Sequence, residues 1–208
     1  MQLIQGTEIE LVTPDGTEAV ENVLIGSPSS GSCCGETVAE FVLGIPKGDT
    51  HDWLDRKVRF FGREFRTIGF PEQGIEANIP LAWGMNVHVQ YLCSNSDCTI
   101  YEKDTFQRHV CEGVHFYDGR GRTVEKDGVR VAGAAEIFIF GVNNSEGYAP
   151  KAGDLIVPGV CQVIIDTTSQ QSVSEGVKQL RAGGDLIVVK SVVRSSVGRL
   201  PDYEITAG

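Results

Sequence analysis

Short alternating runs of apolar and polar residues dominate the chain, and helical periodicity is scarce. Residues 7–12 read T-E-I-E-L-V, with Ile9 and Leu11 on one face and Glu8 and Glu10 on the other. Period-two alternation of this kind predicts a half-buried strand. Pro14-Asp15-Gly16 follows as a turn, because proline presets φ and glycine accepts the positive φ of a tight reversal. Residues 18–25 predict the return strand of a hairpin. Residues 26–35, G-S-P-S-S-G-S-C-C-G, carry no apolar pattern and read as a loop. Alternation resumes over 36–43, with Val38, Phe41 and Leu43 directed inward. Pro46-Lys47-Gly48-Asp49 is a further turn. Residues 57–61 and 64–68 flank Gly62-Arg63 as a short hairpin. Residues 86–92 set Val87, Val89 and Tyr91 against His88 and Gln90.

A polar break, C-S-N-S-D at 93–97, divides the chain. We take residues 1–92 as one domain, 93–98 as a linker and 99–208 as a second domain. The second half predicts strands over 105–116, 136–142, 154–157, 161–165 and 186–193. Turns are expected at Asp118-Gly119-Arg120-Gly121 and Lys126-Asp127-Gly128. One helix is expected: Ser172-x-x-Glu175 is a capping-box pattern, Val173, Val177 and Leu180 follow at helical spacing, and Gly183-Gly184 ends it. The fold class is mainly β: two small β-barrel-like or β-sandwich domains, with one short helix in the second.

Charge narrows the function. Over 208 residues the formal net charge is −10, divided as −7 over residues 1–92 and −3 over the remainder. A protein that works by neutralising phosphates needs clustered Lys and Arg. The acidic balance still suits a channel through which DNA passes without adhering. No run approaches the length of a membrane span, and the acidic start, Glu8, Glu10 and Asp15, does not read as a signal peptide. Assembly in a cytosol is expected, and no membrane partner.

Catalytic signatures are missing: no P-loop, no G-x-G-x-x-G after a strand, no H-E-x-x-H, no G-x-S-x-G. His51, His88, His109 and His115 could serve a cysteine nucleophile, but no local signature pairs them, and they read as satisfied surface or edge histidines. Asp49, Asp52 and Asp55 around His51 lack calcium-loop spacing and read as a solvated turn. Cys93-x4-Cys98 with His109 and Cys111 matches no zinc module. In a reducing compartment the six cysteines, Cys33, Cys34, Cys93, Cys98, Cys111 and Cys161, are expected as unbridged thiols in loops or half-buried. No metal, cofactor or catalytic residue is expected. Trp53, Phe60, Phe61 and Phe65 read as core or cross-strand pairs. Trp83 pins a loop if buried and anchors an interface if exposed. Lys57, Arg59 and Arg63 are expected to share an outer face with nearby Arg56 and Arg66, as a patch for an acidic partner or a neighbouring copy.

Two stretches carry a resemblance. Residues 44–89 run G-I-P-K-G-D-T-H-D-W, through G-R-E-F-R-T-I-G-F-P, to E-A-N-I-P-L-A-W-G-M-N-V-H-V. This resembles the minor capsid, or head–tail connector, proteins of tailed phages and prophages of Gram-positive bacteria. The likeness rests on Pro46, Lys47, Asp49, Thr50, His51, Gly62, Arg66, Thr67, Gly69, Pro71, Glu76, Ile79, Pro80, Leu81, Trp83, Val87 and Val89. Gly84-Met85-Asn86 stands where such proteins usually show Asn-Lys-Lys, so contacts of those two lysines do not carry over. The second half more distantly resembles a neighbouring phage neck family, through Cys98-Thr99-Ile100-Tyr101, G-V-H-F-Y at 113–117, Tyr148-x-Pro150-Lys151-x-Gly153-Asp154, Ile156-Val157-x-Gly159, and Ser191-Val192-Val193 with Tyr203-Glu204.

The resemblance implies a structural virion protein of the stopper type. Such proteins form a ring, usually a dodecamer, between the portal or its adaptor and the tail. The ring closes the DNA exit channel and docks the tail. The implied partners are its own copies, the portal or adaptor, the tail terminator or tail tube, and genomic DNA passing through the lumen without specific binding. The implied location is the virion neck, after assembly in the host cytoplasm. The candidate interface positions are Pro46, Lys47, Asp49, Thr50, His51, Arg63, Arg66, Pro80 and Trp83. The alternatives are a tail terminator or other tail component, a metal-binding module, and a Cys/His enzyme.

Overall fold

The computed structural model describes residues 4–208 except 126–127, 145, 184 and 196–197, with the backbone alone over 121–132. The chain forms two compact units: Met1–Cys93 with Ser196–Leu200, and Ser94–Ser195 with Pro201–Gly208. Both are mainly β, and the helix lies in the second.

The first unit holds β1 (Thr7–Thr13), β2 (Gly16–Ile25), β3 (Ser29–Cys33), β4 (Glu36–Pro46), β5 (Lys57–Phe60), β6 (Arg63–Gln73) and β7 (Trp83–Tyr91). They form one antiparallel sheet in the order β2-β1-β5-β6-β7-β4-β3. β4 also pairs with the end of β2, at Leu24↔Gly44 and Ile25↔Leu43, so the sheet curls back on itself. The alternating positions meet inside: Ile9, Leu11, Leu43, Val58, Val87 and Val89 are buried around Trp53. Phe60 and Phe65 stack at 4.1 Å, and Phe41 meets both edge-on.

Two expectations change here. Residues 29–33 are a strand rather than loop. β3 is the outer arm of a hairpin on β4, and only Cys33 of its five residues is buried, so no apolar alternation marks it. The hairpin between β5 and β6 turns on Phe61-Gly62, one residue earlier than expected. Both have positive φ, 52° and 68°, the geometry that matches strand twist in two-residue turns. Phe61 is therefore 70% exposed at the tip instead of in the core.

The second unit holds β8 (Ser96–Tyr101), β9 (Arg108–Asp118), β10 (Gly121–Glu125), β11 (Gly128–Ala132), β12 (Ala135–Ile139), β13 (Leu155–Pro158), α1 (Gln170–Gly183), β14 (Ile187–Ser195) and β15 (Asp202–Ala207). Six of them close a barrel in the order β12-β15-β14-β13-β8-β9, sealed by pairing of β9 with β12. β10 and β11 pair as a separate hairpin. Cys98, Ile100, Ile137, Ile156, Ile187 and Ile205 fill the interior. Because β8 starts at Ser96, residues 96–98 belong to the barrel and not to a linker.

The expected strand over 161–165 is absent. Side chains take up its backbone instead: Thr99 Oγ1 accepts from Cys161 N (2.8 Å), Arg108 Nε donates to Cys161 O (2.6 Å) and Tyr101 OH donates to Val163 O (2.7 Å). Its apolar side chains pack with Val173, Val177 and Leu180 of α1 in a second, smaller core. The helix starts earlier than the capping-box reading, with Ser169 Oγ accepting from Ser172 N at 3.1 Å. Gly176 is the close-approach point: a Cβ there would lie 3.1 Å from Ile165. Of the expected turn and stop signals, Lys126, Asp127 and Gly184 lie outside the described residues.

Candidate functional site

The resemblance motif of the first unit builds one loop assembly. Lys47 Nζ donates to Ile79 O, and Lys47 N donates to Ala82 O at 2.9 Å. Gly48 N donates to Glu76 Oε1 at 3.1 Å, and Gly74 N to Gly84 O at 2.9 Å. Trp83 is buried, and its Nε1 donates to Asn22 O at 2.7 Å. It therefore pins the loop and is not an exposed anchor. The tether runs from the turn after β4 to residues 74–84. The tethered segment exposes large apolar residues, Ile75 at 71% and Leu81 at 56%, with Pro80, Glu76 and Asn78 exposed among them. Pro46 pairs with Trp83 at the end of β4.

Asp49 and His51 serve the same turn from inside. Asp49 accepts from Trp53 Nε1 (2.8 Å) and His51 N (3.2 Å), and meets His51 Nδ1 at 2.6 Å. Glu18 Oε2 lies 3.2 Å from His51 Nε2. The Asp49 hydrogen bond, opposed by partial burial and helped by Glu18, raises His51 above its ordinary value. Thr50 between them is exposed. The cluster is filled from within the protein, as Asp52 pairs with Arg56 (3.0 Å) and with Arg199, and Asp55 accepts from Arg199 N and Leu200 N. The cation alternative finds its carboxylates already engaged. Its structural role is to lock the 46–56 segment against Trp53.

The basic residues do not form one patch. Register pairs Lys57 with Arg66 and Arg59 with Glu64, on the outer face, whereas Arg63 pairs with Phe60 on the other. Arg63 sits over the Tyr91 ring at 5.6 Å. Arg59 bridges Glu64 at 2.7 Å, and Arg66 Nη2 donates to Gln90 Oε1 at 3.1 Å. A shared outer face for Lys57, Arg59 and Arg63 is thus corrected by the period-two register.

Five of the six cysteines fall into two groups that spacing did not show, with Cys161 half-buried beside the α1 core. Cys98 and Cys111 face each other across β8 and β9 in the barrel interior, 0% and 2% exposed. Cys93 leaves them and joins Cys33 and Cys34 in the first unit. The Cys93 and Cys33 Sγ atoms are 2.9 Å apart, and those of Cys33 and Cys34 are 3.6 Å apart. All three lie within 4.8 Å of one another. Cys33 and Cys93 are buried, against the expectation of loop or half-buried thiols, and Cys34 is half-buried. Hydrogen bonds from Cys34 and Cys93, with the nearby Arg66 charge, favour the Cys33 thiolate. Donation to it pushes Cys34 up, and Cys93 up to about 11. His109 is not with them. It meets Glu146 Oε2 at 2.6 Å and Glu102 Oε1 at 3.0 Å and stacks on Tyr148 at 4.0 Å.

The second unit's motif, Tyr148 to Asp154, also closes on itself. Asp154 is 1% exposed and accepts from Lys103 N (3.0 Å), Lys151 N (2.8 Å) and Tyr148 OH (2.7 Å). A buried carboxylate is tolerated when its lone pairs are taken in this way. A family match covers residues 92–208, more than half of the chain. The chain belongs to a family of unknown function, DUF6751. No curated protein and no solved structure matches it. The DUF6751 match spans the barrel, the Asp154 turn and Cys93, whereas Cys33, Cys34 and the 74–84 loop lie before it.

Proposed function

We propose that the chain is a structural virion protein of a tailed-phage neck, assembling as a ring between the portal or adaptor and the tail. In this reading it closes the DNA exit channel and offers the tail a docking surface. The observation that carries the reading is the convergence of the resemblance motif. Lys47, Glu76, Ile79 and Trp83 tether a loop whose exposed residues include two large apolar ones, Ile75 and Leu81. Exposed apolar residues on a preorganised loop suit protein docking more than chemistry. The engaged state of the histidines and carboxylates supports a mechanical role over a catalytic one. The net charge of −10 suits a lumen that repels DNA. No helix among the described residues is long and apolar enough to cross a membrane.

Electron cryomicroscopy of virions from a phage that encodes the chain tests this. A ring of the chain between portal and tail is expected. The double variant Ile75→Asp, Leu81→Asp should keep the circular dichroism and melting of the parent but fail to enter particles. A ring at the tail side, against the last tube ring, would replace the stopper reading with a tail terminator. Virions without the chain would overturn both.

A further inference from the structure

We propose that Cys33, Cys34 and Cys93 form a three-thiolate site for one zinc ion, with the fourth coordination position open. The inference does not depend on the neck reading. Three sulfurs from two separate stretches of chain meet within 4.8 Å. Zinc binds thiolate at about 2.3 Å in tetrahedral geometry, which places ligand sulfurs roughly 3.8 Å apart. The Cys33–Cys34 pair, at 3.6 Å, already has that spacing, and the 2.9 Å Cys33–Cys93 pair must open by about 0.9 Å, within reach of side-chain rotation.

The local backbone is built around the cluster. Cys34 and Gly35 form the two-residue turn between β3 and β4, with φ of 53° and 76°. Asn, Asp or Gly ordinarily occupies the first such position, because a side chain there is strained. Cysteine offers no backbone advantage at that place. Its thiol is nevertheless brought beside Cys33. Gln90, buried on β7, holds the hairpin in register: its Nε2 donates to Ser32 O (3.2 Å) and Glu40 Oε1 (2.7 Å), while Arg66 donates to its Oε1. Metal sites depend on such supporting hydrogen bonds around the ligands.

Charge and access agree. Zn2+ with three thiolates carries −1, and the Arg66 guanidinium acts electrostatically on Cys33. Binding releases the thiol protons to solvent, so affinity falls as pH falls. Half-buried Cys34 leaves one side of the cluster approachable. Cys93 also borders a cleft of about 390 Å³ walled by Phe41, Phe61, Phe65, Tyr91 and Arg63. An open fourth position next to an apolar cleft distinguishes this arrangement from a closed structural zinc site.

The test uses the full chain, reduced and stripped of metal. Zn2+ is titrated against a chromophoric chelator, and Co2+ serves as a spectroscopic probe of thiolate ligation. One ion per chain is expected, with a thiolate-to-cobalt charge-transfer band and a raised melting temperature on zinc addition. Cys34→Ser and Cys93→Ser should each weaken binding by more than about tenfold, while Cys161→Ser in the second unit should not. Cys34 lies on a turn at the surface, so its variant carries the test if Cys93→Ser does not fold. Absence of zinc binding, parental affinity in Cys34→Ser, or a Cys33–Cys93 disulfide that persists with zinc present would overturn the site. Binding of Cu(I) without Zn2+ would overturn the choice of metal.

Discussion

In the second unit, Cys98 and Cys111 meet in register across one strand pair, inside a closed apolar barrel. In the first, Cys33, Cys34 and Cys93 meet at a hairpin tip, near Arg66 and within reach of a surface cleft. The side chain is the same, but its surroundings set its chemistry. Surrounded by isoleucines, the pair shares one hydrogen bond, which with burial raises Cys98 and which lowers Cys111. A thiol so placed behaves as a small hydrophobe. Cys33 is lowered in the same way by two donating thiols, with the Arg66 charge added; what separates the groups is access, since Cys34 is half-buried and Cys93 borders a surface cleft. The units differ likewise in their carboxylates. Asp154 is buried by its own motif, whereas Asp49 and Glu18 hold a histidine that still touches solvent.

The sharpest way to break the contrast is Asp154→Ala. It strips the acceptor from two backbone N–H groups and the Tyr148 hydroxyl, at about 3 kcal/mol or more for several buried donors left unpaired. Urea unfolding should show the loss. Next is a paired comparison of serine substitutions. Cys98→Ser places a hydroxyl in the dry barrel, costing about 2 kcal/mol, while Cys34→Ser on its surface turn should stay within about 0.5 kcal/mol in the metal-free chain. Equal losses would remove the distinction between the two thiol environments. The smallest effect belongs to His51. Its folded value is raised above 6.5, first by Asp49. Its contribution is therefore full below about pH 6.5 and lost as pH rises through the raised value. His51→Gln should lower the melting temperature at low pH, by under about 1 kcal/mol equivalent, and the gap to the parent should close towards alkaline pH.

Much of the fold was legible locally. β1, β5 and β7 alternate at period two, and Pro14-Asp15 marks a reversal by turn chemistry alone; the β5–β6 turn was legible to within one residue, and the bulge at Asn22 that breaks the alternation of β2 was not. β3 was not legible, because an outer hairpin arm of Ser and Gly buries almost nothing. Residues 161–165 misled for the opposite reason. Their apolar alternation is real and packs on α1, but Thr99, Tyr101 and Arg108 satisfy the backbone that a neighbouring strand would otherwise need. The candidate site divided in the same manner. Lys47 and Trp83 stood out in their motif, yet their partners, Ile79 O and Asn22 O, are backbone atoms that no residue identity announces.

Residue order and type were enough for the mainly β class, the α-helix of the second unit and the acidic balance, since these follow from short-range periodicity and composition. The pairing of cysteines was beyond their reach. Cys93 lies five residues from Cys98, but a strand that begins at Ser96 carries Cys98 into one unit, and the end of β7 leaves Cys93 in the other. Cys33 and Cys34 then reach Cys93 because β3 folds over β4, and β4 pairs with β7. Contacts between residues distant in sequence are set by sheet order and register, which depend on every strand at once.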